Sequence, residues 1–553
     1  MSNINKQCGR KCLILVLPYL VDFGSASDKK KKEVRSFLAF PYGALTIASF
    51  INKNTLKDSK CEILDLNIAV NMGEDEHSIN KLIFRRIKDF EPDIIGFSMS
   101  FDVSFSWFKQ IASFISLNFS DLYMVAGGPA VTTGYRELCE LVPEVHAYCY
   151  SEGERGLLNL LDSAMDVTIE LDRPPWVTKK ALLQQRYSPT AVYEDLDEVI
   201  DVDYELVDVN AYSMREAFSP FTKFEEGAKQ FFIVTSRGCP FKCVFCAEPS
   251  FHGANMRYAS VSKVVKHISY LVKNYNLSVL TIYDDQLLMN RDRAKEIFRG
   301  LIPLGIRIEM PNGVTLSYID DELAKLMSLA GVDTIFLAIE HGSKRVLKDI
   351  IKKPIAFEKI YSTIEILQKY KIFVVSFFVF GLPGEQPSER IRTRNFILEN
   401  KIDWSFMNYA TPLRGSELYK VARETGMVDK KYLEFGAIDM TDYVINCPNI
   451  TADKIKKEMF LLNLDVNFVH NGSMARGDFF TAIRAFKEVI FRHFNQPFAH
   501  YYISKCYQEI NEFVLAEKHF NHYIEILRAD IDWYKTAKLF NLDCSKLNFS
   551  EVA

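Results

Sequence analysis

Two long stretches of the chain alternate short β-rich runs with amphipathic segments, a pattern that parallel sheets covered by helices satisfy. The first spans residues 1 to about 165. Its candidate strands are LILVL (13–17), CEILDL (61–66), DIIGFS (93–98), LYMVA (122–126) and VHAYC (145–149). Five such units predict a doubly wound α/β domain whose ligand sits beyond the carboxyl ends of the strands. The loops there read PYLVDFG, SMSF, GGPAVT and SEGE. Their small residues let a large flat ligand approach the backbone, and Ser98 and Ser100 offer hydroxyls to it.

Residues 166–228 are weakly periodic and form a connector, carrying DRPPW and ending in the Phe-rich AFSPFTKF. From 229 the alternation resumes with FFIVTS (231–236), SVLTIY (278–283), IRIEM (306–310), DTIFLAI (333–339), FVVSFFVF (373–380) and DWSFMN (403–408). Six β/α units over 229–440 are too few to close an eightfold barrel, so an open, partial (β/α)6 barrel is expected, with its chemistry at the strands' carboxyl ends. Residues 441–553 read as helical. There Phe479, Ala482 and Phe486 recur as Phe513, Ala516 and Phe520, each 34 residues on. That is the tetratricopeptide period, in which small and aromatic residues interlock paired helices. Two copies over about 476–530 suggest a short appendage that docks on the main body or on a protein partner; coincident helix periodicity is the alternative.

A chain of 553 residues is long enough for several cores, and 48% apolar and 25% charged residues are ordinary for a folded protein. A net charge of -4 gives no reason to expect nucleic acid as a partner. Outside one tight cluster the cysteines (Cys8, Cys12, Cys61, Cys139, Cys149, Cys447, Cys506 and Cys544) are scattered, which fits a reducing, cytoplasmic location better than a disulfide framework. The start, KQCGRKCLILVLPYLVDFGSAS, imitates a signal peptide, but its removal would delete the first core strand. No apolar stretch approaches the length of a membrane-spanning helix, which leaves peripheral attachment open.

The tight cluster is TSRGCPFKCVFCAEPS (235–250), with Cys239, Cys243 and Cys246 in eight positions. Adjacent thiolates bind soft metals. Structural zinc wants four closed ligands, and no second cysteine pair lies nearby. A CxxxCxxC loop at the end of a strand instead presents three thiolates to a cubane cluster and leaves the fourth iron open. Inert buried cysteines or zinc remain the bland reading.

These residues resemble the radical SAM enzymes, whose CxxxCxxC loop binds a [4Fe-4S] cluster that chelates S-adenosylmethionine. The resemblance places Phe245 against the adenine. TIYDDQLLMNRDRAKEIFRGL resembles the second-strand segment, placing Asp284 and Asp285 near the methionine amino group. FLAIEHGSKRVLKDIIKKP resembles the fourth-strand motif, placing Glu340 by the ribose, and FFVFGLPGEQPSE resembles the fifth unit, with Gly381 and Pro383 at the cofactor. Taken singly, Glu340 could be a strand-end ion-pair partner, and Gly381, Pro383 and Gly384 mere turn residues. Their order at the ends of successive strands makes them support one another.

MVAGGPAVT and AYCYSEGERGL, ahead of that core, resemble the Rossmann-like cobalamin-binding domain of a class that includes natural-product and lipid methylases and an anaerobic porphyrin cyclase. The resemblance implies cobalamin held by Ser98, Ser100, Gly127, Gly128, Glu152 and Gly153. The first histidine is His77, so no Asp-x-His-x-x-Gly motif follows the first strand. Either cobalamin binds without a protein histidine ligand, or the fold has lost the corrinoid; a flavin or nucleotide is a further alternative. The resemblance also implies a reducing partner such as flavodoxin or ferredoxin, reductive cleavage of S-adenosylmethionine, and cobalamin-dependent methylation of an unactivated carbon of a natural product or peptide. Cyclisation or rearrangement without methyl transfer is the alternative. A tRNA-modifying enzyme and a non-catalytic scaffold lie further off, since neither a second cysteine cluster nor a basic module is present and the cysteine loop is intact. Tyr409 and Asn408 are candidates for the substrate pocket, and core packing would explain each as well.

Overall fold

A computed structural model describes residues 9–19, 40–184, 187–212, 227–437, 442–447 and 450–547. Most of the PYLVDFG loop and all of AFSPFTKF lie outside the described residues, as does Cys8. The chain divides into two compact units. One holds the described residues of Met1–Glu216, Glu226–Leu287 and Thr411–Val444, the other those of Ala217–Glu225, Leu288–Ala410 and Ile445–Ala553.

The first unit is built on β1 (Lys11–Val16), β2 (Lys60–Asp65), β3 (Ile94–Ser98), β4 (Tyr123–Gly127), β5 (Ala147–Cys149) and β6 (Trp176–Val177), ordered β2-β1-β3-β4-β5-β6. All neighbours run parallel except β6, which pairs antiparallel to β5 from within the connector. Central parallel strands are covered on both faces, so they read as unbroken apolar runs: Leu13 and Leu15 on β1 and Ile94 and Ile95 on β3 are fully buried. The covering helices show the complementary pattern. Glu76–Phe90 starts where the Asp75 carboxylate accepts the Ser78 N–H, buries Ile79, Ile83, Ile87 and Phe90 along one stripe, and stops at Glu91 in the left-handed region. Chain order reverses between β1 and β3, the position where such sheets open a crevice.

The same unit contains β7 (Gln230–Ile233), β8 (Ser236–Arg237), β9 (Arg257–Tyr258) and β10 (Val279–Ile282). β7 pairs parallel with β10, and β8 pairs antiparallel with β9. FFIVTS is therefore not one continuous strand. The Asp284 carboxylate takes the Thr235 N–H at 2.5 Å and the Thr235 and Ser236 hydroxyls at 2.6 Å each, drawing the chain off the β7 ladder before β8 begins.

The second unit carries β11 (Arg307–Glu309) and a parallel sheet of β12 (Thr334–Glu340), β13 (Phe373–Phe380) and β14 (Trp404–Tyr409). The helices Asp321–Leu329, Ile360–Lys369 and Pro387–Glu399 fall between these strands. Beyond them the helices Phe479–Arg492, Pro497–Glu509, Phe513–Ala529 and Ile531–Leu539 follow one another. Phe479 and Phe513 each open a helix, and Ala482, Phe486 and Ala516 are buried, whereas Phe513 is 64% exposed. These helices share a core with β13 and β14: Phe486 stacks on Phe468 at 5.5 Å and meets Trp404 edge-on at 6.5 Å. Among the described residues, no helix is long and apolar enough to cross a membrane.

Phe486 is fully buried at the centre of this aromatic stack, so Phe486→Ala should destabilise the second unit by about 3–5 kcal/mol. Guanidinium unfolding followed by aromatic absorbance reads the loss; an unchanged midpoint would show that the stack is not what seats these helices.

Candidate functional site

In the first unit, Ser98, Ser100, Gly127, Gly128, Glu152 and Gly153 all line one cavity of about 280 Å³. The sequence had grouped them only by loop. One wall is the sheet at the β1/β3 switch, where Ile14 and Gly96 contribute. Another is the start of the helix Tyr42–Asn54, through Gly43, Ala44 and Thr46. Gly128 has φ +113°, and a Cβ there would stand 2.5 Å from the Met99 carbonyl oxygen, so only glycine lets the β4 loop turn into the helix Pro129–Leu141 so close to the β3 loop. The result is a slot with a glycine-rich stretch of wall (Gly43, Gly96, Gly127, Gly128 and Gly153), where a flat group can press against backbone. The sequence reading missed Trp176, Arg237, Phe251 and His252, which also line it. Nothing short-range marks them, because Trp176 comes from the connector and the other three from the segment around the cysteines.

A buried ion-pair cluster closes the cavity on that side. Arg237 on β8 holds Glu154 at 2.8 Å and Glu152 at 3.0 Å, and all three side chains are at least 92% buried. Arg257 on β9 grips Glu152 at 2.5 and 3.0 Å, and His252 Nδ1 lies 3.3 Å from it. The Glu194 N–H also donates to Glu152, at 2.9 Å. Burial by itself would raise the Glu152 carboxyl, but the Arg237 charge and the bonds from His252 and Arg257 outweigh it and hold it well below its ordinary 4.5. The SEGE loop and the strand leading into the cysteines are thus one electrostatic assembly.

Cys239 is buried, and Cys243 and Cys246 are half-buried. The loop closes on itself through Cys246 N–H to the Cys243 carbonyl at 3.0 Å, and the Cys239 N–H reaches the Gly253 carbonyl at 3.1 Å. Burial pushes the Cys246 thiol up to about 12, with the neighbouring Glu248, Cys243 and Cys239 adding to it and an N–H from Glu248 opposing. A cation bound at such a trio would stabilise the thiolates. Among the described residues no trio of His, Cys, Asp or Glu closes on a single ion. Three thiols delivered by one short loop are the donor chemistry of a multi-iron cluster, in which each thiolate ligates a different iron. Phe245 is half-buried between two of the cysteines.

The paired acids after β10 divide in role. Asp284 is buried and engaged by Thr235 and Ser236, so it anchors the cluster strand. Asp285 faces Glu248, just past Cys246. Burial and then Asp285 push the Glu248 carboxyl up to about 10, and burial also raises Asp285. Glu248 carried no sequence signal.

In the second unit, Glu340 ends β12 at φ +71°, beside a register shift at Ala338/Glu340. Lys353 holds it at 2.8 Å and the Ala338 carbonyl at 2.7 Å, with both side chains nearly buried. A non-glycine residue in that conformation costs of order 1–3 kcal/mol and persists where surroundings fix it, commonly at functional sites. Gly381 is tied down by Glu385, which accepts the Gly381 N–H at 2.6 Å and the Leu382 N–H at 3.2 Å and meets His341 Nε2 at 3.1 Å. Pro383 is half-buried on the same turn. Asn408 is exposed and Tyr409 half-buried on β14.

Arg237→Met would leave Glu152 and Glu154 buried with less compensation and should cost about 3–5 kcal/mol. The depressed Glu152 contributes stability that is complete above its ordinary 4.5 and lost as the pH falls below that value toward its folded-state pKa. Urea midpoints of the wild type should therefore fall from pH 6 to pH 3, and those of Arg237→Met should fall less. Parallel pH curves would show that the pair contributes nothing.

Known proteins share both halves of this arrangement. The B12 binding domain family matches residues 36–161, and the Radical SAM superfamily matches residues 233–397. An uncharacterised methyltransferase of Pyrococcus horikoshii is 25% identical over 80% of this chain and 90% of its own. The cytidylyl-2-hydroxyethylphosphonate methyltransferase of Streptomyces wedmorensis is 28% identical over 70% of this chain and 77% of its own. The solved structure of the cobalamin-dependent S-adenosylmethionine radical enzyme OxsB superposes with a TM-score of 0.62 at 14% identity, over 98% of this chain and 82% of that one, a likeness of fold. With a B12-binding domain followed by a radical SAM domain, and residues at both sites that fit the groups these domains hold, the chain is a cobalamin-binding radical SAM enzyme.

Proposed function

We propose that this enzyme methylates an unactivated carbon of a small-molecule or peptide natural product. The observation that carries the reading is the cavity of the first unit: the loops expected to hold cobalamin form part of its wall, and Arg237, Phe251 and His252, from the segment bearing the cysteines, form another part. One chamber with both sets of residues is what methyl delivery to a nearby reacting carbon requires. The methyltransferase names of the two relatives support the same choice over cyclisation.

When bound, the cluster and S-adenosylmethionine supply an organic radical, and cobalamin supplies the methyl group. The chain's own residues bind and orient. Cys239, Cys243 and Cys246 hold the cluster, with Phe245 at the adenine and Asp285 at the methionine amino group. Glu340 takes the ribose, its strained conformation and Lys353 support fixing its aim, and Glu385 sets the Gly381–Pro383 turn. Asp284 acts through the cluster strand. Ser98, Ser100, Gly127, Gly128, Glu152 and Gly153 cradle the corrinoid, with no histidine ahead of His77 to ligate cobalt. The apolar side of the cavity excludes water.

Domain limits of 1–165, 166–228, 229–440 and 441–553, with a partial (β/α)6 barrel in the third, complete the reading. So does a tetratricopeptide-like helix pair in the fourth that receives a protein partner. Ten free cysteines among the described residues support a reducing, cytoplasmic setting with a flavodoxin or ferredoxin as electron donor.

The test is anaerobic reconstitution with iron, sulfide and cobalamin, then incubation with a reductant, a small-molecule extract and S-adenosylmethionine bearing a CD3 group. A product retaining the deuterated methyl is expected. Products lacking the label, formed alongside 5′-deoxyadenosine, would eliminate methyl transfer. Cys243→Ser should lose both iron and 5′-deoxyadenosine formation; full activity in that variant would remove the cysteine loop from the chemistry.

A further inference from the structure

The segment after β14, from Thr411 onward, belongs to the first unit, where it touches both cofactor loops. Toward the cysteines, the Leu418 N–H donates to the Val244 carbonyl at 2.8 Å, between Cys243 and Cys246. The Ser250 hydroxyl donates to the Gly415 carbonyl, also at 2.8 Å. Toward the cavity, Arg414 is 6% exposed and donates to Glu137 at 2.6 Å and to the Leu433 carbonyl at 2.9 Å. Its guanidinium lies 4.1 Å from the centre of the Phe435 ring and 4.9 Å from that of Tyr419. Phe435 in turn packs against Gly134, where a Cβ would stand 2.1 Å from the ring.

Glu137 is on the helix that begins after Gly128, and Asp102 stands two residues beyond Ser100. Asp102 accepts the Gly436 N–H at 3.0 Å through one carboxylate oxygen. Its other oxygen faces Arg414 Nε at 3.5 Å, and neither of those two buried atoms has a hydrogen bond. A shift of a few tenths of an ångström would close this pair, and the loop carrying Ser100 is what would move with Asp102.

We propose that Arg414 is a positioning residue that couples the corrinoid cradle to the cysteine loop. A guanidinium suits the task because its rigid planar fork directs separate N–H groups at a carboxylate and a carbonyl while its flat face stacks on two aromatic rings; an ammonium is a compact point charge with no such plane. Seating the corrinoid draws Asp102 onto Arg414, which steadies the segment that braces Val244. By reciprocity, assembling the cluster strengthens cobalamin binding by the same factor. The coupling rests on cobalamin occupying the cradle.

The test titrates the full-length protein with hydroxocobalamin, once without iron and once after cluster assembly, in wild type, Arg414→Lys and the nearly isosteric Asp102→Asn. The wild type should bind cobalamin about fivefold or more tightly with the cluster in place, the usual scale of such coupling. In both variants the ratio should fall toward one while iron content stays at the wild-type level. A variant that keeps the wild-type ratio, a wild-type ratio of one, or joint loss of iron in both variants would overturn the proposal. Wild-type protein that takes up no cobalamin at all would overturn the cofactor reading beneath it as well, which separates the two failures.

Discussion

Burying Arg237 with Glu152 and Glu154 is costly unless every charge finds partners, because each ion gives up its water. Here the cost is met by mutual satisfaction: one guanidinium bridges two carboxylates, a second guanidinium from Arg257 takes the remaining face of Glu152, and the Glu194 N–H adds a further bond. Such a cluster tolerates little displacement, since a shift of one member strands another in a dry interior. The cluster joins the loop after β5 to the strand that delivers the cysteines, so the placement of the cavity relative to the cysteine loop follows from it.

Strain and support recur in the second unit on the same logic. Glu340 holds a left-handed backbone that no isolated strand would choose, and Lys353 secures both its side chain and the carbonyl two residues before it. Glu385 does the equivalent for the following strand by collecting the N–H groups of Gly381 and Leu382. In each case a buried side chain serves as the missing hydrogen-bond partner of an irregular strand end, which lets a sheet terminate in a defined, non-repeating shape.

Much of this was legible in the sequence because the signals are local. Period-two and unbroken apolar runs marked the strands of both units to within a residue or two, and the cysteine spacing, the glycine pair at 127–128 and the SEGE tetrapeptide lie within single loops. The exceptions are long-range. FFIVTS breaks because Asp284, forty-eight residues after Ser236, competes for its donors. Trp176 enters the sheet from a stretch without periodicity, and Glu248, Lys353 and Glu385 matter only through groups that folding brings to them. Asp284 and Asp285 look equivalent as a dipeptide, yet successive residues point in different directions and meet different neighbours.

The return of residues 411–444 to the first unit bears on how the protein is made. A nascent chain emerges with its amino-terminal sheet and its cysteine loop more than a hundred and sixty residues before the segment that braces them. Until that segment leaves the ribosome, the Val244 carbonyl lacks the Leu418 N–H and the surface that seats Phe435 is uncovered. Contacts so distant in sequence form late and slowly. Metallation of the finished chain, rather than of the growing one, is the order that this topology favours, and a message truncated near codon 410 would yield a cysteine loop without its brace.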